Sequence, residues 1–116
     1  MSKEESKPSV LQGTLDLLVL RALNALGAQH GFGLARRIQQ VSEGALDLNQ
    51  GTLYPALLRM EQKGWIRSTW GVSETNRRAR YYEITAKGRR QIEEEAADWA
   101  RTVAIMERFA RLAEGE

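Results

Sequence analysis

Apolar residues recur at helical spacing in the first quarter of the chain and predict its central helix. Between residues 10 and 26 they form two stripes on opposite sides of one helix. A helix that is apolar on both sides is packed by neighbours all round. Gly27 ends this helix, and a shorter second helix is predicted over residues 33–43.

The next segment predicts a third helix with a defined beginning. Residues 45–48 are predicted to form one short strand, and Asn49 is a good N-cap for a helix over residues 50–63. The inward side chains of this helix are Leu53, Leu57 and Met60. Its outward positions are Gln50, Thr52, Ala56, Arg59 and Lys63.

A β-hairpin follows the third helix. Residues 65–70 alternate between two sides, residues 71–76 are rich in turn formers, and residues 80–85 return as a second strand. The arginines predicted at its tip are Arg77, Arg78 and Arg80. Helices followed by such a hairpin, or wing, are typical of a mainly α (α+β) winged helix-turn-helix, whose third helix enters a DNA groove.

The last segment carries the most regular pattern in the chain. Residues 85–113 predict a helix about 40 Å long, which is longer than the core of so small a domain needs. Its apolar residues recur at alternating spacings of four and three, as in a heptad seam. The seam consists of Ile92, Ala96, Trp99, Val103, Met106, Ala110 and Ala113. We expect it to pack against a second copy in a homodimer; the alternative is that it belongs to the core of one chain.

The net charge of +2 conceals two segments of opposite charge. Residues 66–90 contain seven basic and two acidic residues, whereas residues 91–116 contain three basic and seven acidic ones. This segregation is expected where one end of a protein meets a polyanion, although an ordinary solvated surface also explains it. The predicted organisation is a flexible leader over residues 1–9, a DNA-binding domain over residues 10–85 and a dimerisation helix over residues 86–116.

Composition narrows the function classes. The absence of cysteine excludes disulfides and cysteine-ligated metal sites and suits a reducing cytoplasm. The polar start is unlike a signal peptide, and the longest apolar stretch is too short and interrupted to span a bilayer. His30 lacks an evident acid–base partner and is expected to be a turn residue or a phosphate contact. The acidic residues 93–95 are typical of a solvated helix face. We therefore expect a cytoplasmic protein that is not an enzyme, uses no metal or cofactor and binds no membrane.

The third helix and the wing supply the candidate contacts to double-stranded DNA. Gln50, Thr52 and Arg59 are predicted to reach base edges or phosphates, because Gln suits adenine and Arg suits guanine. Asn49 and Tyr54 are expected near the DNA backbone; alternatively, Asn49 is only a cap and Tyr54 only a packed ring. The wing arginines are expected on phosphates or in the minor groove, with a solvated turn as the alternative.

Four blocks of sequence resemble the PadR family of bacterial transcriptional regulators. They are GTLYPALLRMEQKGW at residues 51–65, LQGTLD at 11–16, GFGLA at 31–35 and RARYYEITAKG at 78–88. The resemblance implies a three-helix winged head, a dimer made chiefly by the C-terminal helix, and repression of transcription from a pseudo-palindromic operator. The chain looks like the short form with one C-terminal helix. Phe32 replaces a tyrosine of many members and so removes a hydroxyl that would touch a phosphate.

The same resemblance implies an effector site. In some short PadR-like repressors a tryptophan in the last helix faces its two-fold mate and lines an apolar pore for flat hydrophobic compounds. Trp99, with Val103 beside it, matches that place, while simple packing of the seam explains Trp99 equally well. Two other functions remain open on the sequence: a winged-helix adaptor for proteins, and a ligand sensor with a secondary DNA role.

Overall fold

The structure is a computed structural model that describes residues 12–115. The predicted leader and Leu11 lie outside the described residues. The elements in chain order are α1 (Gln12–Leu26), β1 (Gln29–His30), α2 (Gly31–Val41), α3 (Gln50–Gln62), β2 (Ile66–Val72), β3 (Arg78–Ile84) and α4 (Ala86–Leu112). Four helices and a small sheet confirm the predicted mainly α fold class with a long last helix.

The sheet has three antiparallel strands in the order β1-β3-β2. The wing pairs β2 with β3 from Ile66 opposite Ile84 to Val72 opposite Arg78. The predicted strand over residues 45–48 is wrong, because the third strand is β1, which follows Gly27 and pairs with β3. Residues 46 and 48 are instead half-buried leucines that pack on the core from a loop. Alternating burial in so short a segment is the same for a strand and for a packed loop.

The core forms where the first three helices meet. Val19, Leu20 and Leu23 of α1 are almost completely buried against Leu34 of α2 and Leu53 of α3. The two-sided apolar pattern of α1 is thereby explained, since α1 packs against α2, α3, α4 and β3.

One position of α3 was predicted wrongly to face outward. Ala56 is completely buried and completes the inward set with Leu53, Leu57 and Met60. These four positions follow the i, i+3, i+4, i+7 spacing of a helix face that is packed on a core.

Helix caps connect the wing to its neighbours. The side-chain oxygen of Asn49 accepts a hydrogen bond from the Thr52 amide (2.9 Å), which confirms the predicted N-cap of α3. Thr85 caps α4 by accepting from the Gly88 amide (3.1 Å), and its hydroxyl donates to the Gly64 carbonyl oxygen (2.6 Å). The start of α4 is therefore bonded to the turn that ends α3.

Only the first part of α4 packs on the rest of the chain. Ile92 is buried in the core of its own chain, which corrects its assignment to a dimer seam. Ala96 is half-buried, whereas every residue from 97 to 115 is exposed. The heptad stripe of α4 therefore begins at Ile92 in the core of its own chain and continues along the exposed part of the same helix.

The contact between α4 and the end of α3 depends on Gly88. A Cβ atom at this position would overlap the carbonyl oxygen of Trp65, which belongs to the backbone and cannot rotate away. We expect Gly88→Ala to lower the free energy of unfolding by about 2 kcal/mol or more, at the upper end of overpacking costs. Chemical denaturation measures it, and the exposed neighbour Arg89→Ala is the control. Equal stability of the two variants would contradict this close approach.

Candidate nucleic-acid interface

The N-terminus of α3 presents a small polar surface. Thr52 is exposed, Asn49 uses its side-chain oxygen in the cap, and Gln50 is half-buried. The Gln50 Oε1 atom is buried without a hydrogen-bond partner. A helix N-terminus attracts anions through its free backbone N–H groups. At the N-terminus of α3, the Thr52 hydroxyl and the Gln50 side chain add further polar groups.

Tyr54 joins this surface to the start of α2. Its side chain is half exposed, and its hydroxyl lies so close to Gly31 that a Cβ there would come within 2.8 Å of the oxygen. Tyr54 therefore packs against the start of α2 and remains partly exposed, and its place near the DNA backbone stays a prediction.

Arg59 does not face outward with Thr52 as the sequence predicted. Its guanidinium group donates to Asp16 Oδ1 of α1 at 2.8 Å, and Asp16 is only 3% exposed. A guanidinium group held against a buried carboxylate beneath α3 is not presented to a groove of DNA. The opposite charge that turns Arg59 inward lies 43 residues earlier in the chain, so helix periodicity could not reveal it.

The wing holds its arginines along a strand rather than at the tip, which corrects the sequence prediction. Only Arg77 lies in the turn, whereas Arg78 and Arg80 belong to β3. Their guanidinium carbons lie 4.4 Å and 5.2 Å from the ring centroid of Trp70, which is 56% exposed. Cation–π contacts of this kind hold two charged groups against one exposed ring.

Sequence reasoning missed Trp70 as part of this surface. The signal that would have found it is the register of the hairpin, because Trp70 lies directly opposite Arg80. Cross-strand neighbours interact when they lie on one side of a sheet.

A hydrogen-bonded chain orients Arg80 relative to α3. Arg80 Nε donates to the Ser68 hydroxyl (2.8 Å), which donates to a carboxylate oxygen of Glu61 on α3 (2.7 Å). Elsewhere in the hairpin, Arg67 is neutralised by an ion pair with Glu83 at 2.6 Å. Not every base of residues 66–90 is therefore available to a polyanion.

Two clefts separate the wing from the helices. The first, of about 390 Å³, is lined by Tyr54, Phe32, Trp70, Arg78 and Arg80 among others. The second, of about 550 Å³, lies between the start of α2 and the wing turn, and both Arg36 and Arg77 line it. The structure thus brings Tyr54 of α3, the start of α2 and the wing arginines to adjoining clefts.

His30 lies between these clefts and has a structural role. Its Nδ1 atom accepts a hydrogen bond from the Gly33 amide (3.0 Å) and caps α2, and its ring meets Tyr81 edge-on at 5.4 Å. This agrees with the prediction of a turn residue. It also explains why α2 begins two residues earlier than predicted, since the cap precedes Gly31.

Tyr82 adds no negative charge to this region. Burial raises the pKa of its phenol, nearby Tyr54 and Glu61 raise it further, and Arg80 lowers it. The phenol is therefore protonated at neutral pH, where an ordinary tyrosine is also neutral.

A separate cleft of about 370 Å³ lies between α1 and α4. Thr14 and Leu17 line one side, and Trp99, which is 53% exposed, lines the other. Three carboxylates also line it: Glu94, Glu95 and Asp98. Two of the acids predicted on a solvated face, at residues 94 and 95, thus share a cleft with Trp99, while Val103 is not among the lining residues.

The arrangement of side chains and helices also bears on metal binding and on membrane insertion. Over residues 12–115, no group of three or more metal-ligating side chains is placed to hold an ion. No helix in this described part combines the length and apolar character needed to cross a membrane.

Comparisons with known proteins agree with this geometry. The model of the transcriptional regulator PadR-like family matches residues 19–94. A transcriptional regulator from Clostridium thermocellum is 29% identical, with a TM-score of 0.78 over 86% of this chain and 96% of that chain. A PadR family transcription regulator from Clostridium difficile is 31% identical, with a TM-score of 0.69 over 83% and 97%. A PadR-like regulator from Bacillus cereus is 26% identical, with a TM-score of 0.73 over 88% and 96%.

Proposed function

The chain belongs to the transcriptional regulator PadR-like family, and on that premise we propose that it is a repressor that acts as a homodimer on a pseudo-palindromic operator. The observation that carries the proposal is that Tyr54, in the first half of α3, shares a cleft with the wing arginines Arg78 and Arg80. We propose that the protein is located in the cytoplasm, where it has access to DNA.

In this proposal the start of α3 enters the major groove. Thr52 and Gln50 are the groups available to base edges, and Gln forms a two-pronged hydrogen bond with adenine. The helix N-terminus favours a neighbouring phosphate. Arg59 is left out of this contact set because it is paired with Asp16.

The wing supplies the sequence-independent part of the binding. Arg77, Arg78 and Arg80 contact phosphates or enter the minor groove, and Trp70 holds two of them in place before DNA arrives. Side chains that are already ordered lose less conformational freedom on binding.

The homodimer is supported by two apolar surfaces that one chain leaves uncovered. One is the exposed end of α4, with Ile105, Met106, Phe109 and Leu112. The other, the α1–α2 groove, is an almost wholly apolar groove of about 350 Å³ with Leu18, Ala22, Ile38 and Val41 in its lining. Exposed apolar patches of this kind mark interaction sites.

We infer that, in the dimer, the exposed end of α4 from each chain packs into the α1–α2 groove of the other chain. Arg21 and Arg37 line the α1–α2 groove. Glu107 on the exposed end of α4 is available to pair with one of them, beside Arg108 and Arg111 of the same end. A two-fold dimer built this way repeats the α3 contact on both half-sites, which lie one or more DNA turns of about 34 Å apart.

The α1–α4 cleft is the proposed effector site. Trp99 offers a flat apolar surface, as the resemblance implies, and Glu94 and Glu95 add negative charge, whereas Asp98 is paired with Arg101. One oxygen of Glu95 is buried without a hydrogen-bond partner, which a cationic ligand would satisfy. The proposed effector is therefore a flat organic cation whose binding releases the DNA.

The first test concerns the wing. A duplex is selected by the protein from a random pool, and affinity is measured against salt concentration. We expect Arg77→Gln with Arg78→Gln to weaken binding and to lower the slope of log affinity against log salt by about one unit for each lost phosphate contact. Arg108→Gln, which removes one positive charge from α4, is the control and is compared with each wing substitution made singly. An adaptor for proteins would show no such salt-dependent loss, and wild-type protein without any duplex preference would refute the repressor.

The second test concerns the dimer. We expect Phe109→Asp on the exposed end of α4, or Val41→Asp in the α1–α2 groove, to convert the protein to a monomer, because a buried unpaired charge is strongly unfavourable. Val41 is 74% exposed within one chain, so its change leaves the fold intact. Molecular mass by light scattering measures the result, with Ala104→Asp as the control on the polar side of α4. Wild-type protein that is monomeric at micromolar concentration would overturn the dimer.

The third test concerns the effector cleft. We expect 9-aminoacridine, a flat cation, to quench tryptophan fluorescence more strongly than neutral acridine, because the carboxylates attract the cation. Glu94→Gln with Glu95→Gln should remove this preference, and Trp99→Ala should abolish binding. Glu107→Gln, outside the cleft, serves as the control. Equal binding of the two compounds to wild-type protein would contradict a site for cations.

A further inference from the structure

A buried ion pair joins α1 to α3 beneath the DNA-facing surface. Arg59 Nη2 lies 2.8 Å from Asp16 Oδ1, and the two side chains are 29% and 5% exposed. Among the side chains of residues 14–115, no other hydrogen bond links α1 to α3.

This pair is a poor source of stability. Removing two charges from water costs as much as their attraction returns, unless the remaining donors and acceptors are also satisfied. Here the Arg59 Nε atom is buried without a hydrogen-bond partner. A pair of apolar side chains would stabilise the contact equally well, so another property of the pair explains its presence better.

That property is the directionality of the charged hydrogen bond between Arg59 and Asp16. The core to which α1 and α3 both contribute is apolar, with Leu20 and Leu57 among its buried residues, and apolar attraction does not depend on orientation. A charged hydrogen bond requires one distance and one angle. The pair therefore opposes rotation or sliding of α3 on α1 in a way that the leucines do not.

We propose that Arg59 is a positioning residue for DNA recognition. Through Asp16 it holds the rotation of α3, so that Thr52, seven residues earlier on the same helix, meets base edges in the correct register. Asp16 also lies between Thr14 and Leu17 in α1, and these two residues line the α1–α4 cleft. A displacement of α1 at the cleft therefore reaches α3 through the Asp16–Arg59 ion pair. The inference rests on the proposed DNA binding.

The experiment compares the affinity for the selected duplex with that for a random duplex of equal length at one salt concentration. Asp16→Asn and Arg59→Gln should each lower this ratio about tenfold, the size of one lost base contact. The affinity ratio of the double variant should be no lower than that of the poorer single variant, because both substitutions remove the same Asp16–Arg59 interaction. Arg59→Lys should restore part of the ratio, and the salt slope should stay unchanged, since the wing arginines are intact.

Arg67→Gln with Glu83→Gln is the matched control, because it removes the exposed Arg67–Glu83 ion pair without releasing a charge, and it should leave the ratio unchanged. Thermal unfolding of every variant identifies the temperature at which all are folded. Neither the double variant nor Arg59→Lys leaves an unpaired charge at this site. If a single variant unfolds, the affinity ratios of these two variants still test the inference.

Two outcomes overturn the inference while leaving the repressor intact. A loss of specificity in Arg59→Gln but not in Asp16→Asn means that Arg59 contacts DNA directly. A lower melting temperature with an unchanged ratio means that the pair only stabilises the fold. Wild-type protein that does not discriminate between the two duplexes refutes the proposed function, and this inference with it.

Discussion

Packing on both sides of α1 is the interaction on which the other parts of the molecule depend. Val19, Leu20 and Leu23 are almost wholly buried, and helices α2, α3 and α4 and strand β3 all contact this one helix. Because apolar burial is the dominant favourable term in folding, a small domain needs one element that several others can share. Here α1 is that element, and the position of each functional surface is set relative to it.

The candidate interface consists of pieces that are separately anchored to this core. Asn49 defines the start of α3, His30 defines the start of α2, and the chain from Arg80 through Ser68 to Glu61 attaches the wing to α3. Each anchor is a directional hydrogen bond added to a non-directional core. The polar network therefore determines orientation, while the leucines determine that the helices associate.

Several side chains serve a different purpose from the one that their chemistry suggests in isolation. Arg59 looks like a base contact but is paired with Asp16, whereas Trp70 looks like a core residue but lies exposed between two arginines. Ile92 continues a heptad yet belongs to the core of its own chain. In each case the deciding neighbour comes from another element.

The sequence by itself determined the helices, the hairpin, the Asn49 cap and the family resemblance, because these depend on local spacing and on short motifs. It did not determine that residues 45–48 form no strand, that β1 pairs with β3, or that Arg78 and Arg80 flank Trp70. Only the tertiary structure decided the partner of Arg59 and the meeting of Trp99 with three carboxylates. These outcomes depend on contacts between residues far apart in the chain, which periodicity within one segment does not encode.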